Sequence, residues 1–185
     1  IVEQHIHNID VVIWAMKRPP VACMGMGGRQ VRTDAKFGNI FDHFAIEYEY
    51  ADGRRITSFC RQQDGTTSRV REDFQGSLGR TNAADTIEGR NAYKAAVIPG
   101  MNPYVEEHRD LVASIRAGRP LNEGRQIVDS NLTAILGREA AYTGQTLTWD
   151  ELMASNLSIL PKEFAFGALA VPAVPTPGET TLTRS

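Results

Sequence analysis

Apolar residues at Val2, Ile6, Ile9, Ile13 and Met16 recur at helical spacing and stop at Pro19-Pro20, which predicts a helix over residues 2–16 with one apolar stripe. Beyond it the period changes. Phe44, Ile46, Tyr48 and Tyr50 alternate with Ala45, Glu47 and Glu49, the pattern of a half-buried strand, and Asp52-Gly53 supplies turn chemistry for a hairpin into residues 55–61. Shorter strands are expected near 21–27, 69–74 and 86–88, between glycine-rich turns. Asn102 then caps a helix with Pro103 at its first position, and Tyr104, His108, Leu111, Val112 and Ile115 form its inward stripe as far as Ala117-Gly118. The next helix, 124–143, turns Val128, Leu132, Ile135, Leu136 and Tyr142 inward and stops at Gly144, with a short turn at 150–154 after it.

A helix, a run of antiparallel strands and two more helices predict an α+β fold: an open, mainly antiparallel sheet with helices packed on one face. The domain is expected to span 1–160, and Pro161, Pro172, Pro175 and Pro177 mark residues 161–185 as a Pro-rich tail. The other sheet face must meet solvent or a partner. Val, Phe and Tyr in both strand phases point to a subunit interface there, hence a homo-oligomer.

Composition narrows the partners. With 185 residues, 42% hydrophobic, a core of ordinary size is available. A net charge of -2 and a pI near 6.1 give no electrostatic footprint for nucleic acid or an anionic membrane. No apolar run approaches the roughly 20 residues of a membrane span. Cys23 and Cys60 lack metal spacing and fall among apolar strand residues, as buried free thiols do. The chain opens at Ile1 inside a helical pattern, so a fragment or a processed protein is expected; the cytoplasm is the default location, with export possible where a signal precedes Ile1.

Candidate chemistry concentrates in the first helix. At about 100° per residue, Glu3, His7, Asp10 and Trp14 share one rim within roughly 60°, beside the apolar stripe, while His5 lies about 160° away. An imidazole flanked by carboxylates one turn either side makes a general base for an alcohol undergoing oxidation. The spacing equally admits solvated carboxylates and a merely structural His7. In an extended strand His5 and His7 would instead share a face, where Asp42 or His43 could complete a metal site, but the helical period opposes that strand. Asp42 and His43 form a polar pair at a strand start, and Arg61, Gln62 and Gln63 offer planar donors suited to sugar hydroxyls or to a solvated turn. Tyr104, at a helix start, is a further pocket candidate, and His108 fits a hydrogen-bonded core position. Gly25-Met26-Gly27-Gly28 lacks the spacing of a dinucleotide loop and reads as a strand end.

Glu3-x-x-x-His7-x-x-Asp10-Val11 with Trp14 resembles the helix that opens the C-terminal domain of Gfo/Idh/MocA oxidoreductases. Asp42-His43-Phe44, Tyr48-x-Tyr50-x-Asp52-Gly53, Asn102-Pro103-Tyr104-x-x-Glu107 and Ala117-Gly118-Arg119-Pro120 are similar to later landmarks of that domain, in the same order. The resemblance covers roughly residues 1–160. It implies a substrate-binding α+β half whose NAD- or NADP-binding Rossmann half is absent from this chain. It also implies His7 as acid/base and Glu3 as its substrate-binding neighbour, Glu3 standing where members often carry Asp. Asp10, Asp42, His43, Arg61 and Tyr104 are the remaining substrate-contact candidates. The implied substrate is a sugar, polyol or glycoside hydroxyl, and this chain alone is expected to hold no cofactor or metal. The competing expectation is a non-catalytic oligomerisation or carbohydrate-binding domain.

Overall fold

The strict alternation of residues 44–50 is realised as the middle strand of a sheet. In the computed structural model, which describes residues 1–161 and 163–182, the elements in chain order are α1 (Ile6–Met16), β1 (Ala22–Gly28), β2 (His43–Glu49), β3 (Arg55–Arg61), β4 (Phe74–Gly76), β5 (Gly79–Thr81), β6 (Thr86–Gly89), β7 (Tyr93–Lys94), α2 (Pro103–Arg116), α3 (Gly124–Thr143), β8 (Leu147–Thr148) and α4 (Trp149–Ala154). They divide into two compact units, one of Ile1–Ser68 with Asp129–Ser185, the other Arg69–Val128. The expected boundary at 160 separates neither, because the first unit runs through it.

The first unit holds a four-stranded antiparallel sheet in the order β3-β2-β1-β8. Its register sets Cys23, Gly25 and Gly27 opposite Tyr48, Ile46 and Phe44, and these opposite Ile56, Ser58 and Cys60, so one face gathers the apolar side chains. Phe41, Phe44 and Tyr142 stack edge-on and tilted above it, with Leu136, Ala140, Ala141, Leu147 and Leu152 completing the core. Burial pushes the Cys23 thiol up to about 12, so it stays protonated and packs as a small apolar group. α1 adds Ile9 and Ile13 against Ala134, and Met16 against the sheet.

The approach of α3 to the sheet depends on two glycines. A Cβ on Gly25 would sit 2.5 Å from Ile46 Cδ1 and 3.1 Å from the Ala141 nitrogen; one on Gly137 would sit 2.2 Å from Tyr48 Oη. That hydroxyl is buried with no hydrogen-bond partner among the described residues, and burial holds its pKa well above the ordinary phenol value. Because α3 meets the sheet on one side and α1 on another, its burial is wider than the single stripe expected. Asp129, Ser130, Thr133, Glu139 and Thr143 are buried, whereas Val128 is half exposed. The hydroxyls of Thr133 and Thr143 donate to the carbonyls of Asp129 and Glu139, which satisfies them without a partner element.

Other differences have local causes. α1 starts at Ile6 instead of residue 2, since no side chain caps it and the His5 ring turns to Ser58. The strand expected at 69–74 begins only at Phe74. The Pro-rich stretch returns to the core: Pro175 is buried, Gly178 N–H donates to Thr143 O, and Leu182 packs on the apolar cluster.

The second unit holds the meander β4-β5-β6-β7 and α2, whose N-cap is Asn102 as expected. The stripe of α2 is not inward. Tyr104, Leu111, Val112 and Ile115 are exposed, and His108 is an exposed residue bonded to its own helix at Tyr104 O, not a core histidine.

Gly137→Ala is expected to destabilise the chain by about 1–3 kcal/mol through overpacking, with Tyr48→Phe recovering part of that loss by removing the oxygen the methyl would strike. Urea unfolding of the two single variants and the double variant measures the coupling; strict additivity would contradict the contact.

Candidate functional site

The N-terminal turn of α1 is pinned from below. His5, at the helix N-cap, places Nε2 2.7 Å from the hydroxyl of buried Ser58 on β3. One turn on, Ser130 of α3 donates to Asp10 Oδ1 at 2.6 Å. These two ties hold opposite ends of the first turns, and His7 between them faces solvent. Glu3 is also exposed, accepting from the Gln4 amide at 3.0 Å, but it precedes the helix, so its expected one-turn relation to His7 is not helical. Asp10 is half buried against α3, and Trp14 is exposed with the Lys17 ammonium 4.5 Å from its ring centroid. The rim is thus an exposed His7 and Trp14, a pinned Asp10, and a Glu3 set apart on the preceding turn. His5 and His7 lie at the start of a helix, so the strand that a paired-imidazole metal site requires is not formed.

Asp42, expected as a substrate contact, is engaged within the chain. Its carboxylate is enclosed, and its oxygens are engaged inside the chain: Oδ2 accepts from the consecutive backbone N–H groups of Gln30, Val31 and Arg32 at 2.8, 2.7 and 2.9 Å, and Oδ1 lies 2.8 Å from His43 Nδ1. Burial alone would raise its pKa; the three N–H donors and His43 outweigh that and hold it well below the usual carboxylate range. Asp42 is therefore a clamp on the loop after β1, and its neighbour His43 keeps a half-exposed ring on the opposite face of the sheet.

That opposite face carries the rows Gly28–His43–Arg61, Met26–Ala45–Phe59, Met24–Glu47–Thr57 and Ala22–Glu49–Arg55. Met24, Met26 and Phe59 are exposed at its middle. Arg61 is exposed and donates to Thr67 O at 3.1 Å. Tyr104 lies in the second unit, exposed on the first turn of α2. Gly25, Gly27 and Gly28 sit in a paired strand where a Cβ would strike Ile46, His43 O or the His43 ring, so they serve packing and do not fit a phosphate cradle.

Sequence reasoning missed Ser58, Ser130 and the clamped loop. The two serines give no local signal, being tied to partners 53 and 120 positions away. The loop did leave one: arginine and glutamine crowded between two strand patterns.

No protein-family model and no curated protein sequence matches the chain. Solved structures do. The chain is similar to a myo-inositol 2-dehydrogenase from Lactobacillus plantarum, with a TM-score of 0.59 and 17% identity, over 77% of this chain and 46% of that one. It is similar to an aldose-aldose oxidoreductase from Caulobacter crescentus, at 0.57 and 16%, over 77% and 45%. It is similar also to a scyllo-inositol dehydrogenase from Lactobacillus casei, solved with NAD(H) and scyllo-inositol, at 0.56 and 14%, over 77% and 46%. The chain spans less than half the length of these proteins.

If Asp42 is the clamp, its contribution to stability is fully present above the ordinary carboxylate pKa of about 4 and is lost as pH falls toward its depressed folded value. Asp42→Asn should then cost about 2 kcal/mol at pH 7 and markedly less at pH 3, by urea unfolding; an equal cost at both would contradict an ionised clamp.

The antiparallel sheet covered on one face by α1 and α3 is the fold of the C-terminal domain of Gfo/Idh/MocA-type oxidoreductases.

Proposed function

We propose that this chain is the substrate-binding and dimerisation half of a nicotinamide-dependent oxidoreductase acting on a sugar or polyol hydroxyl. The observation that supports it most is the exposed His7 on a helix turn held from both sides, in a fold shared with inositol and aldose oxidoreductases. In this proposal His7 takes the proton of the substrate hydroxyl as the carbon is oxidised, and Glu3 holds a neighbouring hydroxyl. Asp10 fixes the helix and acts on substrate only through it. In this proposal the hydride acceptor, NAD or NADP, is held by a nucleotide-binding half and not by Gly25, Gly27 and Gly28, which are engaged in packing.

The exposed Met24, Met26 and Phe59 on the helix-free sheet face support a homo-oligomer, and they also favour a second reading, an oligomerisation module without catalysis. Two measurements separate the readings. In the natural full-length protein, His7→Ala should lower kcat/KM for polyol oxidation by roughly 10²–10⁴-fold while leaving NAD affinity in a fluorescence titration unchanged; unchanged turnover would favour the module. Phe59→Lys should convert the dimer to monomer in light scattering, and an unaltered mass would exclude this face as the contact.

A further inference from the structure

The long loop 29–42 contains one 3₁₀ turn, at Ala35–Phe37, and is held more firmly than a connector between two adjacent antiparallel strands requires. Asp42 fixes three consecutive amides at its start. The Arg29 guanidinium closes the loop by donating to Gly38 O at 2.5 Å and Asp34 O at 3.0 Å. So held, the loop interlocks with the end of β3: Arg32 Nε donates to Gln62 O at 3.1 Å, Arg32 Nη2 to Gln62 Oε1 at 3.4 Å, and Gln63 Nε2 to Gln30 Oε1 at 3.3 Å.

These bonds orient the groups without exhausting them. Arg32 keeps Nη1, Gln30 and Gln62 keep amide N–H groups, and Gln63 keeps its amide oxygen, among the described residues. The Arg32 guanidinium lies 5.2 Å and the Lys36 ammonium 5.1 Å from the centroid of the same ring, Phe37. Two cations thus share one aromatic side chain. The nearby carboxylates are already engaged, Asp42 on the three amides and Asp34 on the Lys36 backbone N–H, while Asp64 follows Gln63 in the exposed turn. A guanidinium fork with a second cation suits a carboxylate or phosphate, and planar amides beside it suit hydroxyls.

We propose that the clamped loop and the end of β3 form a subsite for an anionic sugar, with Arg32 and Lys36 taking the carboxylate or phosphate and Gln30, Gln62 and Gln63 taking hydroxyls. The proposal rests on the sugar-binding reading and narrows it to acidic substrates. Asp42 is a positioning residue within it. His5 on Ser58 sets the first turn of α1 against β3, and Gln62 and Gln63 directly follow the end of that strand at Arg61.

The test is calorimetric titration of the chain with D-glucuronate, glucose 6-phosphate and D-glucose, without cofactor, alongside Arg32→Gln, Lys36→Gln and Arg55→Gln. The expected result is that one or both anionic sugars bind at least about tenfold more tightly than glucose, and that Arg32→Gln and Lys36→Gln each erase most of that preference. Arg55→Gln, at the far end of the strand, leaves it unchanged. Preference for glucuronate over the phosphate identifies the anion as a carboxylate, and the reverse as a phosphate. Circular dichroism of each variant guards against loss of fold, and Lys36→Gln, at an exposed position, carries the test if Arg32→Gln unfolds. Equal binding of all three sugars overturns the acidic subsite and leaves the sugar reading standing. A preference that survives both loop variants, or no binding of any sugar, overturns the subsite as well.

Discussion

The helix α3 can lie against the sheet only because no side chain separates their backbones at Gly25 and Gly137. A methyl group at either position would meet Ile46, the Ala141 nitrogen or the Tyr48 hydroxyl at well under contact distance. The presentation of His7 hangs from this contact. It sets α3, α3 carries Ser130, Ser130 holds Asp10, and Asp10 together with the His5–Ser58 bond fixes the turn that presents His7. The packing also explains why α3 tolerates buried polar residues. Its threonines satisfy themselves on their own helix, and Glu139 accepts from the Arg138 guanidinium at 2.8 Å, whereas across the contact the Tyr48 hydroxyl stays without a partner among the described residues.

A second constraint acts at the other side of β2. Burying an ionised carboxylate is unfavourable unless it is bonded throughout, and Asp42 meets that condition by gathering three amides and His43. The result is a loop whose conformation follows from one buried charge. Preorganisation of this kind is what a binding surface needs and a simple connector does not.

Period together with cap and turn residues revealed the strands at 44–50 and 55–61, the capped helix at Pro103 and the long helix ending at Gly144, because each is governed by local spacing and local turn chemistry. It did not reveal where α1 begins, since the bond that turns His5 away from the cap comes from Ser58. An amphipathic stripe likewise states that a face is apolar and not what covers it: the stripe of α2 is exposed in its own unit, and α3 buries polar as well as apolar positions from Asp129 onward. His7 was legible as a candidate through the order of motifs. Asp42 was legible as half of a polar pair at a strand start, while its role as a clamp depended on amides that carry no sequence signature. Gln30 and Arg32 acquire meaning only once that clamp sets them beside Gln62 and Gln63.

In the proposed mechanism the turn opening α1 is where a hydroxylated substrate meets its proton acceptor. A crystal structure of the natural full-length protein with a nicotinamide cofactor and a polyol bound tests it most directly. The expected result is a substrate hydroxyl within about 3 Å of the His7 ring, with Glu3 on an adjacent hydroxyl. A polyol seated away from α1, with His7 still facing solvent, would contradict it.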